Sequence, residues 1–235
     1  MSEKQSFRDL LAKLDDTQGT ELVEEIRGLK TSLYTLNGNF EDITELDDWF
    51  HDQGFEIQKM KHRGQLEEFQ QEYLRRLHNY ISAVYSLIKH TQRINGKYGS
   101  EELKKEYTSE LGERNLIRSG EFLRQLRHYI QKRKLPSIEA TLIEEEDGIR
   151  YGIVVQKDEM MVWDEWNRDG REYLESQGEE IDIQLEVHTY HGKVNKFYNW
   201  YYETIQEDCS DDIEERAELI EAIQTKRADL FDGLH

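Results

Sequence analysis

Proline and cysteine each occur once in 235 residues. One cysteine excludes an intramolecular disulfide framework and a cysteine-rich zinc site. The lone proline, Pro136, and 15 scattered glycines exclude collagen-like and Pro/Gly-rich disordered tracts. No run approaches the roughly 20 apolar residues of a membrane-spanning helix, so no membrane association is expected. The first residues, MSEKQSFRDLL, are polar and lack the apolar core of a secretion signal. A cytoplasmic chain is the expectation. Glycine-rich phosphate loops and Ser-centred nucleophile elbows are also missing.

Acid, in contrast, is abundant. Asp and Glu number 50 against 31 Lys and Arg, a net charge of −19. Such a surface repels DNA and anionic membranes at long range, which leaves room only for a local basic groove. The 13 Tyr, 8 Phe and 4 Trp supply large side chains for a core spread along elongated elements.

Apolar residues at Leu22, Ile26, Leu29, Leu33, Leu36, Phe40 and Ile43 step by fours and threes. This spacing lays one apolar stripe along a helix and predicts one long or two shorter helices over about 19–61, with a break near Gly38. A second stripe at Leu66, Phe69, Tyr73, Leu77, Ile81, Val84 and Ile88 predicts a helix over about 65–94 that stops at Asn95-Gly96. Two such helices in succession suggest an antiparallel, coiled-coil-like pair. Ser100 is a candidate cap for a shorter helix. Another is expected from Arg114 to Lys134, ended by Pro136.

The period then changes. Residues 138–157 read as a β-hairpin around Asp147-Gly148. A lone hairpin is marginal in water, so it must pack on helices or pair with another edge. Helices are expected again near 164–176, 181–207 and 211–231, with Asp211 and Glu214 as a capping box for the last. Residues 201–235 carry eleven acidic and three basic side chains. The expected fold is mainly α, with a long antiparallel helical pair, a helical bundle and one inserted β-hairpin. The regions are an N-terminal helical part (1–63), a helical core (64–136), the hairpin (137–160) and an acidic helical C-terminal part (161–235).

Two constellations carry potential chemistry. Asn79, Ala83, Ser86, His90 and Arg93 form a polar stripe beside the second apolar one. It lines a cleft or fixes helix register. Residues 114–134 hold Arg114, Arg118, Arg124, Arg127, Lys132, Arg133 and Lys134 against Glu121 alone. Arg124, Arg127, His128 and Gln131 share a helix face. Arginine offers forked donors to phosphate and histidine titrates near neutrality. The alternative is a helix end whose cations answer its dipole and pair with the chain's own acids.

His188 and His191 stand three residues apart beside Glu186, without a third ligand fixed by spacing, and read as a surface or interface pair. No metal and no cofactor is expected. His51 and His62 are unconstrained. Cys209, among carboxylates, is disfavoured as a thiolate. Trp163, Trp166 and Trp200 read as packing residues.

The segments Arg76-Leu-His-Asn79-Tyr80 to Lys89-His90-Thr-Gln-Arg93, and Phe122-Leu-Arg-Gln-Leu-Arg127-His128-Tyr129 to Leu135-Pro136, resemble a group of uncharacterised prokaryotic helical proteins. The second segment is similar to the signature of the HEPN superfamily. The resemblance spans about 65–136. It implies a four- to five-helix bundle that commonly dimerises, associated with RNA or nucleotides. Many members are metal-independent endoribonucleases of defence and toxin–antitoxin systems. Arg127 matches the motif arginine and His128 its polar neighbour. Where the final histidine belongs stand Lys132, Arg133 and Lys134. A lysine titrating near 10.4 holds phosphate but is a poor proton shuttle at about that pKa.

The resemblance therefore implies an RNA- or nucleotide-associated module without efficient catalysis. Arg127 and His128 are the candidate catalytic pair. Arg124, Lys132, Arg133, Asn79, His90 and Arg93 are the candidate phosphate-binding residues. The rival expectation is a helical scaffold that binds a protein partner or a second copy of itself.

Overall fold

A computed structural model describes residues 3–59, 63–133, 136–145 and 148–232. Met60, His62, Lys134, Leu135 and Asp147 lie outside the described residues. The elements in order are α1 (Glu3–Asp15), α2 (Gln18–Lys59), α3 (Arg63–Tyr98), α4 (Glu101–Glu113), α5 (Leu116–Lys132), β1 (Ile138–Glu145), β2 (Gly148–Gln156), α6 (Lys157–Met161), α7 (Arg168–Ser176), β3 (Glu180–Asp182), α8 (Ile183–Asp208) and α9 (Ser210–Asp232). The fold is mainly α with an inserted β-hairpin, as the apolar periodicities predict. No helix among the described residues is long and apolar enough to cross a membrane.

Several boundaries differ from expectation. α2 runs unbroken through Gly38, because a single glycine costs only about 1 kcal/mol in a helix whose flanking Leu36 and Ile43 are fully buried. α3 passes Asn95-Gly96 and ends at Tyr98. Ile94 and Tyr98 are buried, and this apolar face outlasts the turn signal. Arg114 is not on α5. It sits in a turn whose next residue, Asn115, takes a left-handed φ of 53°, a conformation asparagine tolerates. α9 begins at Ser210, which places Asp211 in the first turn rather than at the cap. Ser100 does cap α4, its hydroxyl accepting from the Leu103 N–H at 3.1 Å.

The chain divides into two compact units. The first comprises residues 1–31, 90–108 and 199–235. Its core is Leu22, Ile26, Leu29, Ile94, Leu103, Tyr201 and Ile205, all buried. Arg93 pairs with Glu25, and Lys97 with Glu21 at 2.7 Å, so α2 and α3 run antiparallel here. α9 crosses the start of α2 closely. Gln18 donates to Asp212 at 2.9 Å, and a Cβ on Gly19 would overlap the Asp212 carbonyl oxygen. Gly19→Ala should therefore lower stability by about 1–3 kcal/mol through overpacking. Gly38→Ala, with open space around the new methyl, should raise it by about 0.5–1 kcal/mol. Thermal unfolding of the two variants checks this, and equal effects would refute the close crossing.

The second unit comprises residues 32–89 and 109–198. Here α2 and α3 again run antiparallel, with Phe50 stacked on Phe69 (centroids 4.2 Å apart) and the Arg76 guanidinium on the Asp42 carbonyl. An aromatic cluster joins α5 to α7 and the segment before it. Phe122 stacks on Tyr173 at 4.8 Å, Tyr129 meets Trp163 edge-on at 5.6 Å, and the Trp166 indole donates to the Met160 carbonyl at 2.7 Å. Trp163 and Trp166 are buried packing residues, as expected. The hairpin is present and acquires an edge partner. β2 pairs antiparallel with β3, with Val155 opposite Ile181. Gln70 ties β1 to α3 by donating to the Ile138 carbonyl at 2.8 Å. β3 replaces the start of the helix expected at 181, because Asp182 caps α8 by accepting from the Leu185 N–H at 2.9 Å.

Candidate functional site

α5 buries Phe122, Leu123, Leu126 and Tyr129 and turns Arg124, Arg127 and His128 away from that core. Glu121, one turn before Arg124, organises the start of this face. It accepts from Arg124 Nε at 2.7 Å and Gln125 Nε2 at 3.1 Å, and also from the Asn167 amide. The Arg124 charge is thus already answered inside the chain, and the bond to Glu121 raises its pKa further.

Arg127 lies over the Tyr85 ring of α3, 4.6 Å from its centroid, with its Nε buried and without a hydrogen-bond partner. An arginine over an aromatic face is attracted by the ring quadrupole. His128 is half-buried. Burial, together with Arg124, Arg127 and Lys132, pushes its pKa below the ordinary value. Its neighbouring cations disfavour the protonated ring, and Glu121 opposes them in part. Lys132 reaches Glu165 at 2.6 Å, but both side chains are more than half exposed, and such a pair contributes little. Arg133 is exposed at the end of α5, its N–H donating to the Tyr129 carbonyl at 2.9 Å. Arg114 donates to Glu110 at 2.8 Å.

Arg124, Arg127, His128 and Lys132 therefore meet on one helix face. Asn79 is placed elsewhere. It lines a groove with Ser32, Thr35, Asn39, Ser82 and Ser86, a lining without a cation. At about 100° per residue, Asn79 stands roughly 120° around α3 from Tyr85, the residue that meets Arg127. His90 and Arg93 belong to the first unit, where Arg93 pairs with Glu25.

A second constellation lies in the second unit, where α8 meets α2. Asp47 is 5% exposed, and its Oδ2 lies 3.1 Å from His188 Nε2. Burial raises the Asp47 pKa, while His188 and Gln184 hold it down in part. His191, 7% exposed, stacks on Phe40 at 3.7 Å and receives the Asn195 amide on Nε2 at 2.8 Å. With Nε2 accepting, the proton sits on Nδ1, which is buried and has no partner. Burial, and then His188, push its pKa down to about 4. The hydroxyls of Tyr73 and Tyr80 are buried without partners in this unit as well.

His191 is thus a core histidine, not the surface residue its spacing suggested, and Glu186 accepts from Tyr173. The missed signal is Asp47 itself. It continues the Ile43–Phe50 stripe at a position that otherwise calls for an apolar side chain. Among the described residues no group of three or more His, Cys, Asp or Glu could hold a metal ion. Cys209 is buried, its thiol pushed up to about 11 by burial and by Asp208 and Asp212. It is no nucleophile at neutral pH.

Compared with protein-family models, with curated proteins and with solved structures, the chain matches none.

Proposed function

We propose that the chain is a HEPN-like helical module that associates with a partner and does not cleave RNA. One observation carries the reading: the two central arginines of the α5 face are engaged within the chain. Arg124 is held by Glu121 and Arg127 lies over Tyr85, while Lys132 makes only an exposed pair with Glu165. A phosphate would have to displace these contacts, in a protein whose net charge of −19 already opposes an anion. Lys132 also stands where the resemblance calls for a histidine, so the second proton carrier of a phosphodiester reaction is missing.

A second reading, RNA or nucleotide association through α5, is favoured by His128. Its ring feels the charges of Arg124, Arg127 and Lys132, which share the exposed face of α5. The two readings part in one experiment. Wild type should cleave no member of a varied RNA panel in chelator, and any RNA retention should be equally insensitive to Arg127→Ala and Arg114→Ala. Metal-independent cleavage abolished by His128→Ala would overturn the proposal. A selective loss with Arg127→Ala, with the salt slope falling by about one, would favour the RNA reading.

A further inference from the structure

In the second unit an open groove of about 460 Å³ runs between α2 and α3. Trp49 forms part of its wall and is 46% exposed. Its indole rests against Phe69 at 6.1 Å with the planes 25° apart, and Phe69 is stacked in turn on Phe50. The ring is therefore stacked beside Phe69 and remains nearly half exposed. The remaining tryptophans are buried (Trp163, Trp166) or half-buried (Trp200).

Carboxylates from both helices line the same groove as this indole. Glu45 precedes Trp49 by one turn on α2, and Glu68 and Glu72 lie one turn apart on α3. Glu72 is already committed. Arg75 and Arg76 bond it and hold its carboxyl at about 2. Glu45 and Glu68 are exposed and enter no ion pair among the described residues. The lining holds three carboxylates and one guanidinium, that of Arg76. Among the described residues the groove thus presents a partly exposed indole and two carboxylates, Glu45 and Glu68, outside any ion pair.

The geometry points to a recognition site for an arginine side chain of a basic peptide segment, its guanidinium flat on the Trp49 indole between Glu45 and Glu68. A planar guanidinium is weakly hydrated, stacks on aromatic rings and offers its in-plane donors to carboxylates at the edges. Lysine shares the charge and lacks the plane. An apolar helix would strand the carboxylates, and an anionic ligand would be repelled. The site uses none of the α5 cations, so it stands or falls separately from the reading above.

The test titrates the full-length protein with an end-blocked Gly-Arg-Gly-Arg-Gly peptide and its lysine counterpart. Calorimetry and tryptophan emission are followed at about 0.15 M salt, where distant charges are screened. Wild type should bind the arginine peptide more tightly than the lysine peptide and lose emission on binding. Trp49→Ala and the double variant Glu45→Gln/Glu68→Gln should each weaken binding about tenfold, whereas Trp49→Phe retains most of it. Glu214→Gln/Glu218→Gln, the same charge change on exposed positions of α9, should alter it less than about twofold. All four substituted sites on the two glutamate variants are exposed, so these variants fold even if Trp49→Ala does not. Equal losses from both glutamate pairs, equal affinity for the two peptides, or no binding by wild type would overturn the assignment.

Discussion

Phe122→Ala should destabilise the second unit by about 3–5 kcal/mol, the range for removing a buried phenyl ring from a core. The side chain is 1% exposed and lies between Tyr173, at 4.8 Å, and Trp166, at 6.1 Å, both nearly parallel to it. Large rigid neighbours cannot close the space a methyl group leaves, so transfer and cavity contributions add. Phe122→Leu should cost less, because volume is largely kept. The consequence reaches the candidate site, since the same ring seats α5 against α7 and so fixes where Arg124 and His128 stand. Urea unfolding reads the effect. A loss below about 1 kcal/mol for the alanine variant would mean that the cluster collapses freely and does not anchor α5.

Acidification should weaken the fold through His191. Its imidazole titrates near 4 in the folded chain, against about 6.5 when unfolded. Between those values the unfolded chain binds the extra proton and the folded chain does not. Stability therefore declines as the pH falls below about 6.5 and stops declining near 4. The total is about 2 kcal/mol, allowing for solvent screening. The molecular reason is first the burial of the ring, which disfavours its charged form, and then the nearby His188.

Asp47 acts in the opposite sense. Its raised pKa favours the folded state in acid, and that contribution fades as the pH climbs through the raised value. The two partly cancel near the bottom of the window. His191→Gln should remove the histidine part of the slope while leaving that of Asp47. Denaturation midpoints at several pH values between 7.5 and about 4 measure it. Identical slopes in the two proteins would show that His191 does not carry the acid sensitivity.

The long helices were legible because their stripes recur at three and four residues without interruption, and the hairpin because an Asp-Gly pair separates two β-branched runs. Local signals lost where burial outweighed them. Gly38 and Gly96 lie inside helices whose neighbouring Leu36, Ile43, Ile94 and Tyr98 are buried. β3 has only three residues, too few for an alternation to register, and its pairing partner lies more than twenty residues upstream. α1 carries its own short stripe, Phe7, Leu10, Leu11 and Leu14, which spans only two turns and was not separated from the N-terminal helical part.

At the candidate site, the neighbourhood of Arg124 was partly readable, since Glu121 precedes it by three residues on one helix. The contacts of Arg127 with Tyr85 and of Lys132 with Glu165 are tertiary and leave no trace in local spacing. The Asp47–His188 pair joins residues 141 positions apart, and only the acid on an apolar stripe hinted at it.

The first unit draws on three separated stretches, the last of which begins at residue 199. During synthesis the stretches 1–31 and 90–108 are made first, and the core that holds Leu22, Ile26 and Leu29 is complete only when Tyr201 and Ile205 emerge from the ribosome. Such late closure of distant segments slows folding and prolongs the exposure of sticky surfaces. A product that stopped short of residue 199 would keep the 90–108 part of this core and lose the rest, so its apolar face would stay incompletely covered.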